Sequence, residues 1–267
     1  MSSDPLNAYY EQDREHERLL QGSNQLEFVR TLELMVRFLP PAPARILDIG
    51  GGTGPYSRWL LERGYSVHLL DAMPKHIERV QQDSTLARLE SAVVGDARAL
   101  PYAAASADAA LLFGPLYHLT GRADRVTALR EARRCVKAGG VVLAAVITRT
   151  ASALDGLLAG MDADPRFAAM RKHTLDTGLH LPPDPALGWF TEAYFHSPAE
   201  VLAEVEDAGL TNAALYAVEG LGNIVPEFDL LWADPERRER LLDLVRRTET
   251  DPHLWGVSAH ILAVGQV

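Results

Sequence analysis

The sequence predicts an α/β fold in which a largely parallel sheet is covered on both faces by helices. Three observations carry that prediction. From Ala44 onward, short apolar runs alternate with amphipathic stretches. The runs are continuously apolar, as strands buried on both faces are, rather than alternating like half-solvated ones. The first run ends in Asp48 and passes into Gly50-Gly51-Gly52-Thr53-Gly54, ahead of a helix that Pro55 opens. That strand–turn–helix arrangement is where open α/β sheets bind ligands.

Residues 5–39 read as helical, because Leu19, Leu20, Leu26, Val29, Leu32, Leu34, Met35, Val36 and Leu39 recur at three- and four-residue spacing. Gly22-Ser23 is the expected break, and Pro40-Pro41-Ala42-Pro43 ends the region. Strands are predicted at 44–50, 66–71, 91–95, 108–114 and 140–148, with helices at 55–63, 74–83 and 122–137. The alternation pauses at 149–195, a segment rich in Pro, Gly, Asp and His, with helical stretches around Ala151–Leu158 and Arg166–His173. It resumes at Ser197-Pro198-Ala199-Glu200. There Ser197 fits as N-cap, Pro198 as the first helical residue and Glu200 as the capping-box partner. That helix runs to about Ala208, and a strand at 210–218, a charged helix at 235–248 and a strand at 258–265 follow. Right-handed crossovers then put the C-terminal ends of the parallel strands on one edge. The expected organisation is a helical cap (1–43), a binding core (44–148), an insertion (149–196) and a segment completing the sheet (197–267).

Composition narrows the functional classes. The chain has 267 residues, 47% hydrophobic and 23% charged, the profile of an ordinary globular protein. Its net charge of −10 repels a phosphate backbone, so no nucleic-acid partner is expected. The single cysteine, Cys135, sits on a helical pattern and reads as a small buried hydrophobe. The polar opening predicts no secretory leader. The longest apolar run, Ala138 to Ile147, is far short of the roughly 20 residues that span a bilayer. A cytoplasmic protein without a membrane partner is expected, as a monomer or homodimer.

The glycine loop excludes two nucleotide motifs. G-x-G-x-x-G fails in every register, ending on Pro55 when started at Gly50 and on Ser57 when started at Gly52. The phosphate loop fails for want of its Lys-Ser/Thr pair. What remains, Asp48-x-Gly50-x-Gly52-x-Gly54, resembles motif I of the class I S-adenosylmethionine-dependent methyltransferases. Three further segments are similar to that family at its spacing. Val67-His68-Leu69-Leu70-Asp71 ends a strand in an acid, Gly95-Asp96-Ala97-Arg98-Ala99-Leu100-Pro101 follows the third strand, and Val136-Lys137-Ala138-Gly139-Gly140-Val141 leads into the fifth, with Ala138 where the family carries proline. The likeness covers residues 44–148 well and 197–267 more loosely.

The resemblance implies a Rossmann-like seven-stranded sheet in the order 3-2-1-4-5-7-6 with the last strand antiparallel. It also implies S-adenosyl-L-methionine as cofactor and S-adenosyl-L-homocysteine as product. Asp71 would accept the ribose hydroxyls, Asp96 would face the adenine amino group and the amide of Ala97 would meet the ring. Asp48, Gly50, Gly52, Gly54, Ala72, Met73, Arg98 and Phe113 complete the expected cofactor contacts in the core. From the N-terminal region, Tyr10 and Arg30 are candidates to close over the cofactor, with a solvated helix face as the competing reading of Arg30.

The acceptor is harder to read. Gly114-Pro115-Leu116-Tyr117-His118-Leu119 stands where base-methylating relatives carry a polar residue before Pro-Pro-aromatic. The polar residue is missing, so the segment is similar instead to a group of bacterial small-molecule methyltransferases. His118 is the candidate general base and Tyr117 a candidate to shape the pocket or donate to substrate, with packing as the competing reading for both. The 149–195 segment is expected to form a substrate lid. Leu116, His180 and Tyr194 are candidate pocket residues; His173 and His196 read as surface or packing histidines. Trp189, Phe190 and Phe195 fit either a pocket wall or the core. No metal is expected, since His16-Glu17 is not followed by a second histidine at helical spacing. Methyl transfer to an O, N or C nucleophile of a small molecule, plausibly in secondary metabolism, is the expected function. A cofactor-binding protein that does not methylate, or an RNA or protein methyltransferase, is the alternative.

Overall fold

A computed structural model describes residue 19 and residues 21–267 of the chain. Among the described residues helix α1 (Asn24–Phe38) comes first, and Gly22 turns the chain ahead of it at φ +53°. The helix expected over 5–18 lies outside the described residues. The core then alternates as β1 (Arg45–Ile49), α2 (Pro55–Glu62), β2 (Ser66–Asp71), α3 (Pro74–Gln82), β3 (Ser91–Val94), β4 (Ala107–Leu112), α4 (Pro115–His118), α5 (Arg122–Cys135) and β5 (Val136–Ile147). The insertion forms α6 (Ala151–Leu158), α7 (Pro165–Thr177), β6 (Leu179–His180) and β7 (Ala193–Tyr194). The chain finishes with α8 (Pro198–Asp207), β8 (Thr211–Ala217), α9 (Phe228–Ala233), α10 (Pro235–Thr248) and β9 (His260–Gln266).

Seven strands form one sheet in the order β3-β2-β1-β4-β5-β9-β8, while β6 and β7 pair antiparallel with each other. Two short strands inside the insertion therefore raise the strand number above the expected seven. The strands expected as sixth and seventh are β8 and β9. Strand β1 is parallel to β2 and β4, and the parallel pairing continues to β3 on one side and β5 on the other. β9 runs the opposite way to β5. Gly139 near the start of β5 donates to Val267, whereas Thr148 just past its end donates to Ala259, so the partner recedes as β5 advances.

Burial explains why these runs read as strands. Ile46, Leu47 and Ile49 of β1 and Ala109 to Leu112 of β4 are almost wholly enclosed, as a parallel strand covered on both faces must be. Helices α2 and α3 pack on β2, and α5 packs on β4. One boundary differs from expectation. The predicted helix over 122–137 stops at Cys135, and strand β5 starts at Val136, four residues early. Val136 is already extended (φ −85°, ψ 140°), and the register slips between Ala107 and Ala109 to absorb the glycine turn. Gly140 needs its missing side chain there, because a Cβ would meet the Asp108 carbonyl at 2.5 Å. Cys135 is buried and free, as read from the sequence.

The chain divides into two compact units. One holds residues 35–145, 201–214 and 263–267; the other holds the described residues up to 34 with 146–200 and 215–262. In the second unit Leu26 of α1 packs with Trp232 of α9 and Leu241, Leu242 and Val245 of α10. Among the described residues, no helix is long and apolar enough to cross a membrane.

Candidate active site

The glycine loop, Asp71, the 95–101 segment and the 114–119 segment fall in the first unit, at or just beyond the C-terminal ends of β1, β2, β3 and β4, whereas Val136 to Val141 begins β5 at the other edge. Gly50, Gly52 and Gly54 take φ values of +73°, +55° and +81°, the left-handed region that glycine enters without a Cβ penalty. At Gly50 a second constraint is added, since a Cβ would stand 2.6 Å from Cδ of Pro115. A Cβ on Gly114 would likewise lie 3.2 Å from the Gly50 carbonyl oxygen. The loops after β1 and β4 thus touch backbone to backbone. Gly52 differs: open space surrounds the position its Cβ would take, leaving a cradle beside the loop.

The loop is tied directly to the acid at the end of β2. Gly52 N–H donates to Asp71 Oδ2 at 2.8 Å. The other carboxylate oxygen, Oδ1, accepts from Met73 N–H at 2.8 Å and lies 3.0 Å from His76 Nδ1. Three of the about four lone-pair sites of this carboxylate are therefore engaged within the protein. Met73 is buried at the N-cap of α3, and Ala72 is exposed. Asp48, fully buried on β1, accepts from Ser57 Oγ at 2.6 Å through Oδ2, while its Oδ1 has no hydrogen-bond partner. Burial raises its pKa to about 6; the Ser57 bond opposes the shift and the Asp71 charge adds to it. Two carboxylates this close make the edge attractive to a cation.

After β4 the chain enters the single turn α4. Tyr117 Oη donates to the Phe113 carbonyl at 3.1 Å, and the Tyr117 and His118 rings meet edge to face at 4.6 Å. Phe113 meets Tyr56 the same way at 5.1 Å. His118 keeps some exposed surface but its Nδ1 is buried. Desolvation lowers its pKa to about 4; the Asp71 charge works against that shift and His76 adds to it. His118, Asp71 and His76 therefore share one electrostatic neighbourhood. Beyond β3, Asp96 is half-exposed and bound by Arg98, through both the Arg98 N–H (2.8 Å) and its guanidinium (2.6 Å). Arg98 also reaches Asp124 at 3.1 Å. Ala97 is buried beside them.

Tyr10 lies outside the described residues, and four other expected site residues, Arg30, Leu116, His180 and Tyr194, have surroundings that the sequence did not reveal. Arg30 is neither on a solvated face nor exposed to a ligand: it is fully buried, with Nη1 on Glu33 and Nη2 on Glu249. Leu116 is fully enclosed in the core and offers no surface to a substrate. His180, in the second unit, is a packing histidine. Its Nε2 is 2.7 Å from the Trp189 carbonyl and its ring stacks on Phe195 at 4.6 Å. Tyr194, in the same unit, donates to Glu200 at 2.8 Å. His76 was not anticipated at all, because nothing in the spacing of a helix face marks a residue that bonds back across its own N-terminus. Among the described residues, Glu27, Glu219 and His260 form one group with ligand atoms within 4.8 Å of one another. Hydrogen bonds account for its centre: Glu219 lies 2.6 Å from His260 Nδ1 and accepts from Ser258 Oγ at 2.8 Å.

Residues 47–144 match the family described as methyltransferase domain. The chain is 32% identical over 213 residues to a malonyl-[acyl-carrier protein] O-methyltransferase of Halorhodospira halophila, covering 73% of this chain and 70% of that protein. Its fold is similar to that of a Haloferax volcanii methyltransferase solved with the Trm112 methyltransferase activator, with a TM-score of 0.61 and 19% identity over 98% of this chain and 96% of the other. An S-adenosylmethionine-dependent methyltransferase from Mesorhizobium loti gives a TM-score of 0.58 at 16% identity, over 91% of this chain and 100% of that one.

Proposed function

The chain belongs to the S-adenosylmethionine-dependent methyltransferases, and on that premise we propose that its acceptor is a small molecule offering an oxygen nucleophile, most simply a carboxylate. The chain is an enzyme of this family with S-adenosyl-L-methionine as its cofactor. The residues present fit that cofactor. The open cradle at Gly52, the buried Asp48 oxygen without a partner and the negative charge of Asp71 suit a cationic ligand carrying hydroxyl donors.

In this reading Asp71 accepts a ribose hydroxyl through the lone pair that Gly52 leaves on Oδ2. Asp96, Ala97 and Arg98 line the adenine, Gly50, Gly52 and Gly54 bring backbone close to the methionine portion, and Phe113 borders it. Bound S-adenosyl-L-methionine supplies a methyl group on a positively charged sulfur that keeps the bonding electrons as the acceptor–carbon bond forms. The single observation that carries the acceptor assignment is the burial of His118 Nδ1 against the site, whose desolvation lowers the pKa of the ring to about 4. A base held that far below its ordinary value removes a proton poorly at neutral pH. Transfer to an oxygen that already lacks its proton needs no base, and much of the acceleration can then come from positioning. The relative named as an O-methyltransferase supports oxygen as the acceptor atom.

The test is release of S-adenosyl-L-homocysteine with panels of carboxylates, phenols and amines between pH 5 and 9. Carboxylates turn over, and the rate is flat between pH 7 and 8, where both His118, with its pKa of about 4, and Asp48, with its pKa of about 6, have given up their protons. Turnover of amines alone, or an inflection near pH 6.5 that vanishes in His118→Ala, contradicts the assignment.

A further inference from the structure

His76 stands in the site without a role in the reading above. It occupies the third residue of α3, counting Pro74 as the first and Met73 as the N-cap. Side chains on a helix lean toward its N-terminus, and here that direction leads back to Asp71, two residues before the cap. The ring is buried, with Nδ1 3.0 Å from Asp71 Oδ1. The same oxygen accepts Met73 N–H, so α3 occupies Oδ1 from two sides. That leaves Oδ2 turned to Gly52 N–H. The result is one line of hydrogen bonds, His76 to Asp71 to the glycine loop, with Asp71 as its joint.

We infer that His76 is a positioning residue for cofactor binding, fixing the Asp71 carboxylate so that one oxygen belongs to α3 and the other to the loop and the ribose. A carboxylate turns freely about its last bond, and one N–H on Oδ1 restrains that turn less than two do. Without His76 the same rotation releases Gly52, and the cradle loses its edge. The inference rests on the assignment of Asp71 to the ribose. A residue that acts through its hydrogen bond and one that merely fills space respond differently to substitution. His76→Asn keeps an amide N–H near the position of Nδ1, whereas His76→Leu fills similar volume without a donor.

The experiment is calorimetric titration of S-adenosyl-L-homocysteine into the full chain and these two variants, with melting curves to establish folding. His76→Leu weakens binding about tenfold or more, the size expected for losing a hydrogen bond to a charged group. His76→Asn stays within about threefold of the parent, and His76→Leu adds nothing further in an Asp71→Ala background. In turnover the loss appears in KM for the cofactor rather than in kcat. Parent-like binding by His76→Leu overturns the inference, as does a loss in His76→Asn equal to that in His76→Leu. If Asp71→Ala itself binds like the parent, the ribose assignment fails and the inference with it, an outcome distinct from the other two. Should His76→Leu not fold, the parent suffices: histidine nitrogen NMR shows a proton on Nδ1 of His76 with ligand bound, and a bare Nδ1 overturns the inference.

Discussion

Fully enclosed on β1 and hydrogen-bonded through one oxygen to Ser57, Asp48 holds a pKa of about 6 because burial penalises its charge. The unfolded chain would ionise it near 3.9. Below about pH 4 both states carry the proton, so the group adds no pH dependence. Between about pH 4 and 6 the unfolded state gives up its proton first, and stability falls as pH rises; above 6 the loss is complete. Asp48→Asn is expected to flatten that stretch of the stability profile, measured by chemical denaturation across pH 3.5–7.5. An unchanged slope would remove Asp48 as its cause. The identity of this acid was legible from the strand and the glycines that follow it. Its burial without a second partner was not, since it is enclosed by neighbours distant along the chain, Leu69 of β2 and Leu111 of β4. Arg30 shows the same limit more sharply. A basic residue on a helix face reads as solvated or ligand-directed, whereas its partner Glu249 is 219 residues away.

Helices α5 and α8 illustrate what holds an element in place. Arg125 and Glu204 are both buried and meet bidentately, with Nε and Nη2 on the carboxylate at 2.7 to 3.0 Å. The remaining nitrogen, Nη1, donates to the carbonyls of Leu119 and Thr120, just ahead of the Gly121 cap of α5. The pair thus fastens α8 to α5 and to the turn that follows α4. Arg125→Ala leaves a buried carboxylate without its counter-charge and is expected to cost about 3–5 kcal/mol in urea unfolding. A loss under about 1 kcal/mol would mean that water reaches Glu204. Long elements were legible because periodicity accumulates over several turns or a full apolar run, as in α1, β5 and α10. The single turn α4, the six residues of α9 and the two-residue strands β6 and β7 hold too little pattern to register. Glu200 sits between these cases. The sequence marks it as a capping-box acid, and it does accept Ser197 N–H at 2.8 Å, but Ser197 Oγ turns to the same carboxylate rather than to the helix.

At the scale of the molecule, the two halves of the problem separate by where their information lies. The cofactor side was legible because glycines and strand-end acids recur at set spacing along one continuous stretch, and that stretch is also what the family match covers. The acceptor side was not legible: in residues 149–196, read from the sequence as a lid, side chains such as His180 and Tyr194 are committed to neighbours that no local pattern reveals. A net charge of −10 sets the sign of the partners the surface favours without naming one. What unites the core is the Asp71 carboxylate, which receives the glycine loop, the start of α3 and, in this account, the ribose. Calorimetric titration of S-adenosyl-L-homocysteine into the parent chain and Asp71→Ala tests that most directly. The parent is expected to give a well-defined binding isotherm and the variant one at least tenfold weaker, both folded by melting curve. Equal affinity in the two would contradict it.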